Sequence, residues 1–208
     1  MKLKIAAGLL ALTAFAGGAQ ATNLSFTGAF NYDNDVQQFT FTLFSKQNVT
    51  LRSWSYAGGV NAHGVTIARG GFDPIMTLYD AAGDRIDVQD DGDCPAVAAD
   101  AVTGRCLDVE FKGELDPGTY FATLQQWDNF AAGPTLADGF RYDAEAFRYF
   151  RDGFVDAAGD RRNGNWAFDL LDVDTGSIGV VSVPEPASLA LLGLGLLGML
   201  GMWGRKRR

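Results

Sequence analysis

Six aspartates, Asp80, Asp84, Asp87, Asp90, Asp91 and Asp93, crowd into one short stretch, and carboxylates at that density are parts from which a calcium site can be built. A hard cation wants several oxygen ligands, and like charges held together need a cation between them. The spacing is not that of an EF-hand, because Cys94 follows Asp90-Asp91-Gly92-Asp93 and no bidentate glutamate comes in register. Asp80, Asp84, Asp90, Asp91 and Asp93 form the candidate calcium set, with calcium as the one cofactor in view. The competing reading is solvated aspartates in hairpin turns. Asp33 and Asp35 would join as ligands only if the fold brings them close.

Cys94 and Cys106 have no third thiol to compete with them, so they are expected to form a disulfide. Closing that loop would stabilise the fold by about 3 kcal/mol in the chain-entropy picture. Zinc lacks its donors, since His63 is the single histidine and sits in a Gly-rich loop. There is no G-x-S-x-G, no H-E-x-x-H and no free-thiol signature, so no catalytic residue is assigned and the chain is not expected to be an enzyme. Paired carboxylates for glycoside hydrolysis remain a remote alternative.

Aromatic side chains supply the other candidate chemistry. From Trp127 through Phe130, Tyr142, Phe147, Tyr149 and Phe150 to Phe154, rings alternate with Arg141, Arg148 and Arg151 in an otherwise acidic chain. Exposed rings stack on sugars or peptides, so Trp127, Phe130, Tyr142 and Tyr149 are candidate ligand contacts. Against this stands a plainer role, in which the rings cover the end of the fold and neighbouring aspartates satisfy Arg148 and Arg151.

The elements that position these groups are strands. Phe39, Phe41 and Leu43 alternate with Gln38, Thr40 and Thr42, and Leu107, Val109 and Phe111 alternate with Asp108, Glu110 and Lys112. Further strands are expected near 24–30, 49–54, 74–79, 85–88, 119–127 and 166–173, separated by turn residues. The best helix candidate is 143–154. Asp116-Pro117-Gly118 has the residues of a type II turn just before Thr119-Tyr120 and supports antiparallel pairing of the strands around it, and Tyr79–Asp84 reads as a second hairpin-like loop. The expected fold is all-β, a single antiparallel β-sandwich of jelly-roll type over 22–177, with an aromatic insertion at 128–164.

The two ends carry addresses. Lys2 and Lys4 precede an apolar run from Ile5 to Phe15 and then Ala19-Gln20-Ala21, the order of a signal peptide (1–21) that signal peptidase would cut. A buried first helix is the alternative. At the other end, a linker (178–186) contains Pro184, Glu185 and Pro186, followed by an apolar stretch (187–203) and the cations Arg205, Lys206, Arg207 and Arg208. At ~1.5 Å per residue that stretch gives a helix of ~26 Å, enough to cross a bilayer's hydrocarbon core with slight thinning. The basic residues at both ends favour the cytoplasmic side and place the middle outside.

The tail resembles the PEP-CTERM sorting signal of Gram-negative bacteria that make exopolysaccharide, with Pro184, Glu185 and Pro186 matching its motif. The resemblance implies recognition by exosortase, a transient stay in the inner membrane and delivery to the cell surface or extracellular matrix. A permanent tail anchor of the same span and charge is the alternative. Between the ends lie 11 Lys and Arg against 24 Asp and Glu, a balance of −13 that disfavours nucleic acid and repels acidic polysaccharide unless divalent cations bridge the two.

The middle also resembles the bacterial pre-peptidase C-terminal domain. The likeness runs through Asp35–Leu43, Val49–Arg52, Leu78–Gly83, Asp90-Asp91-Gly92 and Leu115–Tyr120, and it returns at 166–173. It breaks at the Cys94–Cys106 loop and at 128–164. Those domains are small β-sandwiches of exported proteins, some of which bind calcium or hold insoluble polymers. The expected role is a non-catalytic structural or adhesive module, with a carbohydrate-binding module for exopolysaccharide as the runner-up.

Overall fold

In the computed structural model, residues 21–144 and 148–180 are described, and strands dominate them. In chain order these are β1 (Thr22–Ala29), β2 (Val36–Leu43), β3 (Gln47–Ser53), β4 (Gly59–Val60), β5 (Thr66–Ile67), β6 (Pro74–Tyr79) and β7 (Arg85–Gln89). They are followed by β8 (Glu110–Leu115), β9 (Gly118–Gln126), β10 (Phe154–Val155), β11 (Arg161–Arg162), β12 (Asn165–Val173) and β13 (Thr175–Val180). Two antiparallel sheets result, one ordered β1-β12-β3-β8 and the other β13-β2-β9-β6-β7. The signal segment and the sorting tail, including Pro184, Glu185 and Pro186, lie outside the described residues.

Alternation decides which side chains fill the space between the sheets. Phe39, Phe41 and Leu43 of β2 face Leu51 of β3 and Phe168 and Leu170 of β12, all buried. Phe39 stacks on Phe168 at 4.5 Å between ring centres, and Trp166 meets Phe39 edge-on at 5.7 Å. Gly28 on edge strand β1 is required by this packing, because a Cβ there would lie 2.4 Å from the Trp166 ring.

Among the long strands, every connection changes sheets except the β6–β7 hairpin. That corrects the reading of Asp116-Pro117-Gly118. Pro117 sits between β8 and β9, but these strands lie in opposite sheets, so the turn is a corner of the sandwich and not a hairpin. The Tyr120 hydroxyl donates to the Asp116 carbonyl at 2.7 Å and pins the corner. The helix expected over 143–154 is also corrected: its described residues form turns, and Phe154 begins β10. Strand β13 extends to Val180, beyond the expected domain limit at 177.

Asp108 departs from the outward position that alternation assigned it. It is buried, and its carboxylate accepts from the Ser53 hydroxyl (2.7 Å) and from the backbone amides of Ser55 (2.6 Å), Tyr56 (3.2 Å) and Ala57 (2.8 Å). It therefore closes the end of β3, satisfying amides that no ladder partner reaches.

Candidate functional site

Antiparallel register fixes which chain segments meet at one end of the sandwich. Ala29 pairs with Asn165 at the edge of one sheet, while Val36 pairs with Gln125 and Pro74 with Gln126 in the other. The loops leaving that end carry Asp33, Asp73, Asp91, Trp127 and the aromatic insertion. They enclose a cleft of about 570 Å³. Val180 pairs with Gln37, so β13 also runs toward this end.

Trp127 stands at the mouth, 53% exposed, and Tyr149 is 48% exposed. Each is held by backbone order. The Trp127 amide donates to the Asp73 carbonyl at 2.7 Å, and Asp128 follows in the left-handed region at φ 73°. A non-glycine residue there needs external support. Arg141 ion-pairs with its carboxylate, the Tyr142 hydroxyl donates to it at 3.1 Å, and buried Asn129 accepts the Tyr142 amide at 2.9 Å. Opposite, Arg148 donates its amide to Asp33 Oδ1 at 2.7 Å, and the Asp33 amide donates back to the Arg148 carbonyl at 3.0 Å. Tyr149 bridges to Tyr32, with ring centres 5.1 Å apart. The Arg151 guanidinium lies over the Tyr149 ring at 5.1 Å.

The insertion divides its rings between packing and the cleft. Phe140 and Phe150 are buried, Phe150 stacks on Phe154 at 4.5 Å, and both of these rings pack against the core. Trp127, Tyr142 and Tyr149 line the cleft. Phe130 is partly buried and is not among the residues lining it.

Beneath the cleft lies a buried ionic cluster that the sequence did not reveal. Arg162 is buried with its guanidinium 3.5 Å from the centre of the Tyr56 ring. It donates from Nε to Asp156 at 2.8 Å and from Nη1 to the Tyr56 carbonyl at 3.0 Å, and it stands 3.5 Å from Asp100. Arg69 donates to both Asp100 oxygens, at 2.6 and 3.0 Å, and also pairs with Asp160. Burial would push the Asp100 carboxyl up, but hydrogen bonds from Arg69 and Thr103 outweigh it and hold the group well below the usual carboxylate range. The adjacent Arg161-Arg162 beside Asp156 and Asp160 was the available signal.

Asp73 was also missed. Its Oδ1 is buried without a hydrogen-bond partner. Burial first, then the charges of Asp91, Asp90 and Asp108, push this carboxyl up to about 8, with Arg105 pulling the other way. Burial raises Asp90 and Asp91 as well.

The five-aspartate calcium set is not brought together. Met76 pairs with Gln89 and Tyr79 with Arg85, so Asp80 and Asp84 sit at one end of the β6–β7 hairpin while Asp90, Asp91 and Asp93 follow its other end. The five residues of β7, at ~3.3 Å each, separate the two groups by ~17 Å. Asp80 instead accepts the amides of Ala82 and Asp84, both at 2.9 Å, as a turn residue does. Asp35 accepts the amides of Asn31 and Tyr32, and Asp33 is engaged with Arg148, so neither joins Asp80 or Asp84. Among the described residues, no three Asp, Glu, His or Cys side chains group closely enough to hold a metal ion. Cys94 and Cys106 form the expected disulfide, with Cα atoms 5.8 Å apart.

The class defined so far is a two-sheet antiparallel β-sandwich with an aromatic-walled cleft at one end. Residues 182–208 match the PEP-CTERM protein-sorting motif. The chain is that of an exported protein sorted through the membrane in Gram-negative bacteria, and the motif implies processing by exosortase, a membrane enzyme. No curated protein matches it. Among solved structures it is similar to the pre-peptidase C-terminal domain of a collagenase from Bacillus anthracis, with 11% sequence identity and a TM-score of 0.35, covering 74% of this chain and 89% of that chain.

Proposed function

We propose that this protein is a non-catalytic adhesive module of the cell surface or extracellular matrix, and that it holds polysaccharide in the cleft between Trp127 and Tyr149. The observation that carries this reading is the pair of half-exposed rings lining a cleft of about 570 Å³, each on backbone anchored by a hydrogen bond or a bridge. Rings present flat apolar faces to the C–H faces of sugars, and aromatic side chains have few rotatable bonds to order on binding. Two lining acids support a binding role over a catalytic one. Asp33 is occupied by the Arg148 amide, and Asp156 by Arg162. Asp73 and Asp91 both come from the same end of the paired strands β6 and β7, whereas glycoside hydrolysis places carboxylates on either side of the scissile bond.

Polysaccharide pull-down with the exported protein tests the proposal. Trp127→Ala and Tyr149→Ala are each expected to weaken binding about tenfold, the scale of one lost ring contact, without lowering the melting temperature appreciably. Undiminished binding by both variants would remove the cleft from consideration, and release of new reducing ends from the polymer would replace adhesion with catalysis.

A further inference from the structure

We propose that the cleft selects carboxylate-bearing polysaccharides, with Arg105 and Arg148 as the guanidinium groups that read the uronic acid. This deepens the polysaccharide-binding reading and rests on it. Both arginines line the cleft and both are exposed. Other arginines around the site are committed to acids: Arg69 to Asp100 and Asp160, Arg141 to Asp128, and Arg162 to Asp156. Arg105 and Arg148 form no ion pair within 4 Å among the described residues, although the chain as a whole carries a net charge of −8. Solvated cations are ordinary on a surface. Two of them lining one cleft beside aromatic platforms, in a chain short of cations, suit a planar anion.

Backbone geometry fixes the points from which both side chains leave the chain. Arg148 exchanges two hydrogen bonds with Asp33. Arg105 precedes the bridged Cys106, and its carbonyl accepts the Asp100 amide at 2.8 Å. The acids that face them are weakened as competitors. Asp33 is engaged by backbone, Asp156 is paired with Arg162, and the Asp73 carboxyl is largely protonated at neutral pH. Asp91 is the remaining opposing charge, felt by Arg105. The repulsion of acidic polymers expected from overall charge therefore does not extend into the cleft, since at physiological salt distant charges are screened beyond ~8 Å.

The test compares a polyuronate with the same polymer after carboxyl reduction, in a buffer at physiological salt and free of divalent cations so that no bridging ion supplies affinity. Polyuronate is expected to bind at least about tenfold more tightly. Arg105→Gln and Arg148→Gln should each remove about threefold of that preference, and the double variant should bind both polymers alike. Equal affinity of the wild-type protein for the two polymers, or unchanged preference in the double variant, would overturn the proposal. If Trp127→Ala still weakened binding to both polymers about tenfold, the adhesive reading would survive that result. Binding to neither polymer would sink both. Melting temperatures of the glutamine variants should match wild type, because neither guanidinium carries an ion pair of the described fold.

Discussion

Replacing Arg162 by methionine is expected to destabilise the fold by about 3–5 kcal/mol, the usual cost of removing one partner from a buried ionic cluster. Methionine keeps much of the side-chain length and its packing, so the loss reports the guanidinium. Without it, Asp156 loses its 2.8 Å partner, Asp100 and Asp160 keep Arg69 as their one cationic partner among the described residues, and the Tyr56 carbonyl loses a donor. Three carboxylates then face one cation where they had faced two. Arg162→Lys keeps the charge but has no planar fork, so it should recover only part of the difference. At ~2–4 °C per kcal/mol for a domain of this size, the methionine variant should melt about 10–15 °C lower. Added salt should change the gap little, because the pairs are shielded from solvent. A denaturant titration in which Arg162→Met stays within 1 kcal/mol of wild type would show that the cluster contributes nothing net. The cluster joins the β10–β11 hairpin of the insertion to the Cys94–Cys106 loop, so its loss should loosen two walls of the cleft at once.

Strands with one buried face were legible in the sequence, because alternation is a direct imprint of the pleat. Phe39, Phe41 and Leu43 give β2 its side, whereas β6 is buried at every position and was placed at 74–79 by the turn residues that separate the strands. Sheet membership was not legible. The residues of Asp116-Pro117-Gly118 specify a turn, but whether two strands around a turn pair or part is decided by the packing of both sheets. Strand β13 was hidden for another reason: Gly176 and Gly179 lower its propensity, and Gly176 is small because a Cβ there would lie 2.7 Å from Leu24 and 3.0 Å from Leu170. The five aspartates of the calcium set were not brought to one place, because closeness along the chain is not closeness in space when a strand intervenes. Trp127, Tyr142 and Tyr149 were legible as candidates from their density in an acidic chain, and the fold places all three along the cleft. Arg105, Arg148 and Asp73 were not distinguished as a site, since what sets them apart is the partners that surround them or are missing, and one sequence does not display partners.

Between about pH 4 and pH 8 the protein is expected to lose stability as pH rises, and Asp73→Asn should remove a large part of that loss. The folded carboxyl titrates near 8 and the unfolded one near 3.8, so between those values the native state binds the extra proton. Stability then falls with rising pH, because the slope follows protons bound in the unfolded state minus protons bound in the native state. Asp90, Asp91 and Asp108 are raised in the same direction and leave a residual slope in the variant. Asp100 and Asp156 act oppositely: their pKa values are lowered by folding, so their contribution is present above the unfolded value and lost as pH falls below about 4. The two trends place maximum stability at mildly acidic pH. At ~1.4 kcal/mol per pH unit the Asp73 shift sets a ceiling above 5 kcal/mol, and relaxation of the site should reduce the realised effect to about 2–3 kcal/mol. Asparagine keeps the shape without the charge, so the variant should be the more stable protein at pH 8 and roughly equal to wild type at pH 4. Thermal melts across that range decide it: parallel curves for wild type and Asp73→Asn would mean that the carboxyl is already ionised and hydrated in the folded cleft.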